Sequence, residues 1–229
     1  MSFYNFRKNP DRQLLNHPLL KGKKLIGKGL MGGTFECDET SVYKLTCDVA
    51  QYRFFTELCD GEYSFFPKLI SAHGKIGDET YLLRCERLDP CIRQEVCMRL
   101  ETCIGGVNVR QEARIECGKW IAAFVNACDR ADKLLPTDEY PLEQRLTKGW
   151  HYEAALLREV ARIYKHDAMD SALQALASFI EDNGYRLDLK PNNFMMRGNA
   201  IVFNDPVTQM MRRHKPDANE EYEKNLFRR

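Results

Sequence analysis

Apolar and β-branched residues cluster in short runs between turn signals along the first ninety residues. Beyond that they recur at three- and four-residue spacing, so a strand-rich half precedes a helix-rich half. In the first half, residues 24–28 and 33–37 read as strands flanking a glycine loop, and residues 41–46 form a third strand after the Asp38-Glu39 turn. Asp48 is the expected N-cap of a helix running to about Leu58, with Val49, Tyr52, Phe55 and Leu58 on one face. Two further strands, residues 66–71 and 79–85, are expected around a turn at 74–78, completing a five-stranded sheet with one helix.

Helical spacing covers residues 90–103, 109–133 and 150–165, broken by a loop at 134–140 that contains Pro136. Trp120, Ile121, Phe124, Val125 and Cys128 make an apolar stripe of the kind that packs a core. A last helix, with Asp167 as its expected N-cap, runs to about Asp182 and leads into Gly184. Residues 194–196 and 201–203, joined by Gly198-Asn199, read as a hairpin that brings Asn193 near Asp205. Residues 211–229 mix charges densely and read as a frayed helix or as disorder.

Composition narrows the function classes. A chain of 229 residues with 44% hydrophobic residues holds one large domain or two packed lobes. A formal net charge of +1 gives no reason to expect nucleic acid or a membrane surface as partner. The start lacks a signal-peptide apolar region and the apolar runs are too short for a membrane span, so a cytoplasmic location is expected. Of nine cysteines, Cys85, Cys91, Cys97 and Cys103 recur every six residues. Without a CxxC pair or a histidine nearby, the spacing matches no metal or redox motif, and reduced, mostly buried thiols are expected.

The residues that carry chemistry follow the order phosphoryl transfer uses. Gly27-Lys-Gly29-Leu-Met-Gly32 lies between two strands rather than before a helix, as a strand–loop–strand phosphate cover requires; a bare tight turn is the plainer reading. Lys44 follows in an apolar strand, placed to reach the α- and β-phosphates. Its glutamate partner is expected on the next helix, where Glu57 is the best placed, although a solvated helix-end charge reads nearly as well. Glu86, Arg87 and Leu88 form a candidate hinge whose backbone would meet the adenine edge, with Leu83 and Cys85 lining the base pocket. Asp188-Leu-Lys190-Pro-Asn-Asn193 and then Asn204-Asp205-Pro206 are the strongest signal. Asp188 would orient and deprotonate the acceptor hydroxyl, Lys190 would offset charge on the γ-phosphate, and Asn193 and Asp205 would hold Mg2+.

From about Lys24 to Val207 these motifs resemble the protein-kinase superfamily, and the Asp188–Lys190 pairing is similar to serine/threonine protein kinases. Within it, the compressed glycine-loop lobe, the Tyr52/Phe55 helix, Asn193-Phe-Met195 and Asp205-Pro206-Val207 look like the early protein kinases of short-tailed, coliphage-type bacteriophages. The resemblance implies ATP- and Mg2+-dependent phosphorylation of bacterial host proteins in the host cytoplasm. Three departures stand out. Arg186-Leu187 replaces the usual His-Arg, Asp205-Pro206-Val207 replaces Asp-Phe-Gly, and the stretch from 208 to 229 is too short for a standard activation segment. Regulation by loop phosphorylation is therefore not expected, and Thr208 reads as a turn hydroxyl more readily than as an autophosphorylation site.

The expected architecture is α+β, a two-lobed protein-kinase-like fold. It has a small β-rich N-lobe (residues 1–88) and a compact helical C-lobe (residues 89–229) lacking a standard activation segment. The expected activity is a serine/threonine protein kinase. A small-molecule kinase on the same fold, and a pseudokinase that docks to a host enzyme, are the alternatives.

Overall fold

A computed structural model describes residues 12–29, 31–77, 79–90, 116–141, 148–189, 193–198 and 200–209. After a short helix α1 (Arg12–Leu15), the first half folds into β1 (Leu25–Lys28), β2 (Gly32–Glu36), β3 (Ser41–Thr46), helix α2 (Val49–Leu58), β4 (Leu69–Lys75) and β5 (Tyr81–Glu86). The five strands form one antiparallel sheet in the order β1-β2-β3-β5-β4. Past β6 (Asp89–Pro90) the described residues hold three helices: α3 (Glu116–Leu134), α4 (Gly149–Tyr164) and α5 (Asp167–Asn183). The chain then makes four short strands, β7 (Arg186–Leu187), β8 (Phe194–Arg197), β9 (Ala200–Phe203) and β10 (Val207–Thr208). The α+β class and the two-lobed outline expected from the sequence are both present. Residues 91–115, where one predicted helix and part of another fall, lie outside the described residues, as does the charged tail past Gln209.

The central strand β3 is buried along its whole length because both faces of the sheet are covered. Tyr43 and Leu45 pack with Leu14, Leu20, Phe35 and Leu82 under the N-terminal segment. The alternate residues, Val42 and Lys44, face the other way, toward the main core. That core crosses between the lobes: Phe54 and Phe55 of α2 and Leu83 and Cys85 of β5 belong to the same cluster as Phe124, Leu157, Leu173 and Phe203. Phe54, fully buried, meets Phe55, Phe66 and Phe179 edge-on, with ring centroids 5.5, 5.1 and 6.3 Å away.

Three expectations shift on the structure. Helix α2 buries Ala50, Phe54 and Phe55, while Tyr52 stacks on Tyr81 at 4.3 Å, so the inward stripe is wider than one helical row. The reason is that α2 is gripped by both the sheet and the helical half. Strand β4 begins at Leu69, later than predicted, because Phe66 turns into the core and Pro67 has no N–H for a ladder. His166, one residue before Asp167, caps α5 by accepting from the Met169 amide at 3.4 Å.

Gly32 is required for sheet closure. A Cβ there would overlap the carbonyl oxygen of Leu45, because β2 and β3 approach closely at the Gly32–Thr46 and Gly33–Leu45 pairs. Gly32→Ala is expected to destabilise the fold by about 1–3 kcal/mol, measured by chemical denaturation; a loss near zero would show that the hairpin relaxes freely.

Candidate active site

The site forms where the inner face of β3 meets the short strands that follow α5. Lys44 is 7% exposed, and a buried ammonium without a partner is strongly unfavourable. Its partner is the carboxylate of Asp205, with which it forms an ion pair; its Nζ also lies 4.9 Å from the ring centroid of Phe55. Glu57 is not that partner. It lies two residues past Phe55, roughly on the opposite side of α2, where its Oε1 accepts from Arg53 Nε at 2.6 Å on an exposed face.

Local pairing brings the remaining groups to Lys44. Strands β7 and β10 pair antiparallel through Leu187–Val207 and Arg186–Thr208, and the Asp188 amide donates to the Pro206 carbonyl at 2.8 Å. Asp188 and Asp205 are thereby set side by side. On the other side of Asp205, the β8–β9 hairpin pairs Phe194 with Phe203, and the Asn204 amide donates to the Asn193 carbonyl at 2.8 Å. The Asn193 side-chain nitrogen donates to the Asp188 carbonyl, which leaves its amide oxygen as the donor for a cation. Burial lifts the Asp205 carboxyl above the usual carboxylate range; Lys44 opposes this, and the charges of Asp188 and Asp48 add to it.

Helix α2 is tied to the segments that flank these carboxylates, the stretch leading into β7 and the end of β10. Asp48 caps α2 by accepting from the Ala50 amide at 2.9 Å, and it also accepts from the Thr208 hydroxyl at 2.7 Å and the Gln209 amide at 3.1 Å. The Thr208 hydroxyl is therefore committed to a structural bond. From the middle of α2, Arg53 donates to Asn183 Oδ1 at the end of α5 at 2.5 Å and to the Tyr185 hydroxyl, just ahead of β7, at 3.4 Å. Sequence reading identified Asp48 only as a cap and passed over Arg53, because nothing local marks a side chain that reaches across 130 residues of chain.

The glycine loop is the β1–β2 turn. Gly29 donates its amide to the Gly32 carbonyl at 2.9 Å, and Gly27 lies at a bulge in β1. At the predicted hinge, the Glu86 amide is used by the Lys68 carbonyl at 3.0 Å and the Arg87 amide by the Thr40 carbonyl at 2.8 Å; half-buried Leu88 follows. The Glu86 carboxylate binds the Arg197 guanidinium, which also donates to the Ser64 and Phe66 carbonyls at 2.7 and 2.8 Å. This clamp joins the end of β5 to the β8–β9 hairpin. Leu83 and Cys85 are buried beside Lys44 in the main core. Lys190 lies outside the described residues.

Asn193 and Asp205 supply hard oxygen donors, an amide and a carboxylate, which suit magnesium, and Asp188 and Asp48 leave the place richer in negative than positive charge. Among the described residues no three His, Cys, Asp or Glu side chains gather to hold a metal; the expected pair is one carboxylate and one amide. Cys59 and Cys85 are buried free thiols, Cys128 is buried as well, and Cys37 and Cys47 are half-buried; burial pushes the Cys85 thiol up to about 12. Cys91, Cys97 and Cys103 lie outside the described residues. No helix among the described residues is long and apolar enough to cross a membrane.

No protein-family model matches the chain, and no curated protein matches it significantly. Two solved structures share part of its outline. One is the GDP and kanamycin complex of APH(2")-IIia, 13% identical, covering 89% of this chain and 70% of that one at a TM-score of 0.34. The other is the streptomycin–ATP ternary complex of APH(2")-IIa, 14% identical, covering 86% and 71% at a TM-score of 0.29. Overlaps of this size establish neither family nor substrate.

Proposed function

We propose that this chain is an ATP- and magnesium-dependent phosphotransferase acting on serine or threonine hydroxyls of proteins. The observation that supports it is the convergence of a buried strand lysine, Lys44, with Asp205, Asp188 and Asn193 at the seam between the sheet and the helical half. An ammonium buried on an inner strand is costly to keep, and phosphate binding gives it a use beyond packing.

In this reading Lys44 orients the α- and β-phosphates, and the amides of the Gly27–Gly32 turn cover them. Asp188 accepts the proton of the acceptor hydroxyl. Lys190, two residues further along the chain, meets the γ-phosphate. Asn193 and Asp205 hold magnesium, which when bound offsets charge on the phosphate oxygens. The protein acceptor is what the resemblance of the Asp188–Lys190 pairing to serine/threonine protein kinases implies, and the likeness to early phage kinases puts bacterial host proteins first among substrates to try.

The test is transfer of labelled γ-phosphate from ATP to three acceptors: bacterial lysate proteins, kanamycin or streptomycin, and water. Label on protein serine or threonine that vanishes with EDTA is the expected result. Label on the aminoglycoside alone would move the acceptor to a small molecule. A chain that binds no nucleotide with or without magnesium would overturn the enzyme reading and leave a docking protein.

A further inference from the structure

Helix α4 is apolar on the face turned to the core, where Leu156, Leu157 and Val160 are buried, and one residue on that face breaks the pattern. Glu153 is 1% exposed. Its Oε1 accepts from Arg186 Nε at 2.7 Å and from Arg186 Nη2 at 2.6 Å, and its Oε2 accepts from the Leu187 amide at 2.7 Å. All of these donors belong to β7, the two residues ahead of Asp188. Room for the guanidinium is made at the start of the same helix, where a Cβ on Gly149 would overlap it.

A buried carboxylate and guanidinium hold two elements together no better than well-packed apolar side chains of similar volume would. What the arrangement adds is direction. A two-pronged bond to Arg186, with a third bond to the adjoining peptide, leaves the backbone before Asp188 little freedom to rotate. The next amide, that of Asp188, is fixed by Pro206 at 2.8 Å, so two successive peptides entering the site are held from opposite sides.

Resting on the phosphotransfer reading, we propose that Glu153 is a positioning residue: through Arg186 and the Leu187 amide it sets the angle at which Asp188 meets the acceptor hydroxyl. Misplacing a reacting group by about 1 Å lowers rate far more than affinity. Lys44, the glycine turn and Asp205 do not depend on this bond for their own contacts, so nucleotide affinity and turnover respond differently.

The experiment uses the full chain and its Glu153→Gln and Arg186→Lys variants, with water as acceptor. Phosphate release from magnesium-ATP is followed to give kcat and KM, alongside hydrogen exchange of the Leu187 amide. Glu153→Gln is expected to lower kcat about tenfold or more with KM for ATP within about twofold, and to speed exchange at Leu187. Arg186→Lys keeps the charge but loses the fork; it is expected to shift kcat the same way by less, and it decides the matter if Glu153→Gln does not fold. Unchanged kcat in a folded variant overturns the proposal, as does a parallel loss of kcat and ATP affinity. A wild-type chain that binds no nucleotide and transfers phosphate neither to water nor to lysate protein overturns the phosphotransfer reading, and with it any catalytic role for Glu153, whatever the exchange data show.

Discussion

Asp188→Asn is expected to reduce γ-phosphate transfer by about a thousandfold, within the range a positioned general base contributes, while ATP affinity stays within a few-fold. The separation follows from the geometry. Asp188 is held through its backbone, by the Pro206 carbonyl on its amide and the Asn193 side chain on its carbonyl, and neither bond involves the carboxylate. Those two backbone bonds are available to either side chain at position 188. Removing one negative charge beside Asp205 also eases the field that lifts its carboxyl. The measurement is single-turnover transfer together with nucleotide titration on both proteins. Residual activity near wild type would show that the acceptor proton leaves by another route and would remove Asp188 from the catalytic group.

Phe54→Ala should produce the largest change in stability, a loss of about 3–5 kcal/mol and a fall in unfolding midpoint of roughly 10 °C. Its ring is fully buried and touches a residue of its own helix, one in the loop before β4, and one on α5. The cavity would open where the two lobes share a core, and neither side could collapse without moving the other. The two halves are accordingly expected to unfold in one transition, before and after the substitution. Two resolved transitions by calorimetry, with only the first displaced, would mean that the lobes are independent and that the shared core contributes little.

The order of elements was legible in the sequence because its signals are local. The Asp38-Glu39 turn, the Asp48 cap and the Gly198-Asn199 hairpin each depend on a few adjacent residues, and β3, α2 and the β8–β9 hairpin lie where those signals put them. The start of β4 was less legible, because Phe66 is drawn out of the strand by the rings of Phe54 on α2 and Tyr63 in the preceding loop. The inward stripe of α2 is wider than the predicted row of Val49, Tyr52, Phe55 and Leu58, because a helix gripped on two sides has no single buried row. Glu153 did carry a signal, a carboxylate at helical spacing with Leu156, Leu157 and Val160, but spacing alone does not say what such a carboxylate binds.

By itself the sequence determined which chemical groups this protein possesses: a glycine turn, a strand lysine, and two acidic segments with amides at set spacing, all specified by neighbours within about ten residues. Only the tertiary structure decided how those groups are matched. It paired Lys44 with Asp205 and left Glu57 to Arg53. It used Asp48 and Arg53 to tie α2 to the segments that flank Asp205 and Asp188. It also drew Glu153 onto the peptide before Asp188. The physical reason is that a buried charge takes whichever partner the packed elements bring within hydrogen-bond reach, and that choice is made by sheet register and helix orientation across 34 residues for Glu153 and Leu187 and 161 for Lys44 and Asp205, rather than by local spacing.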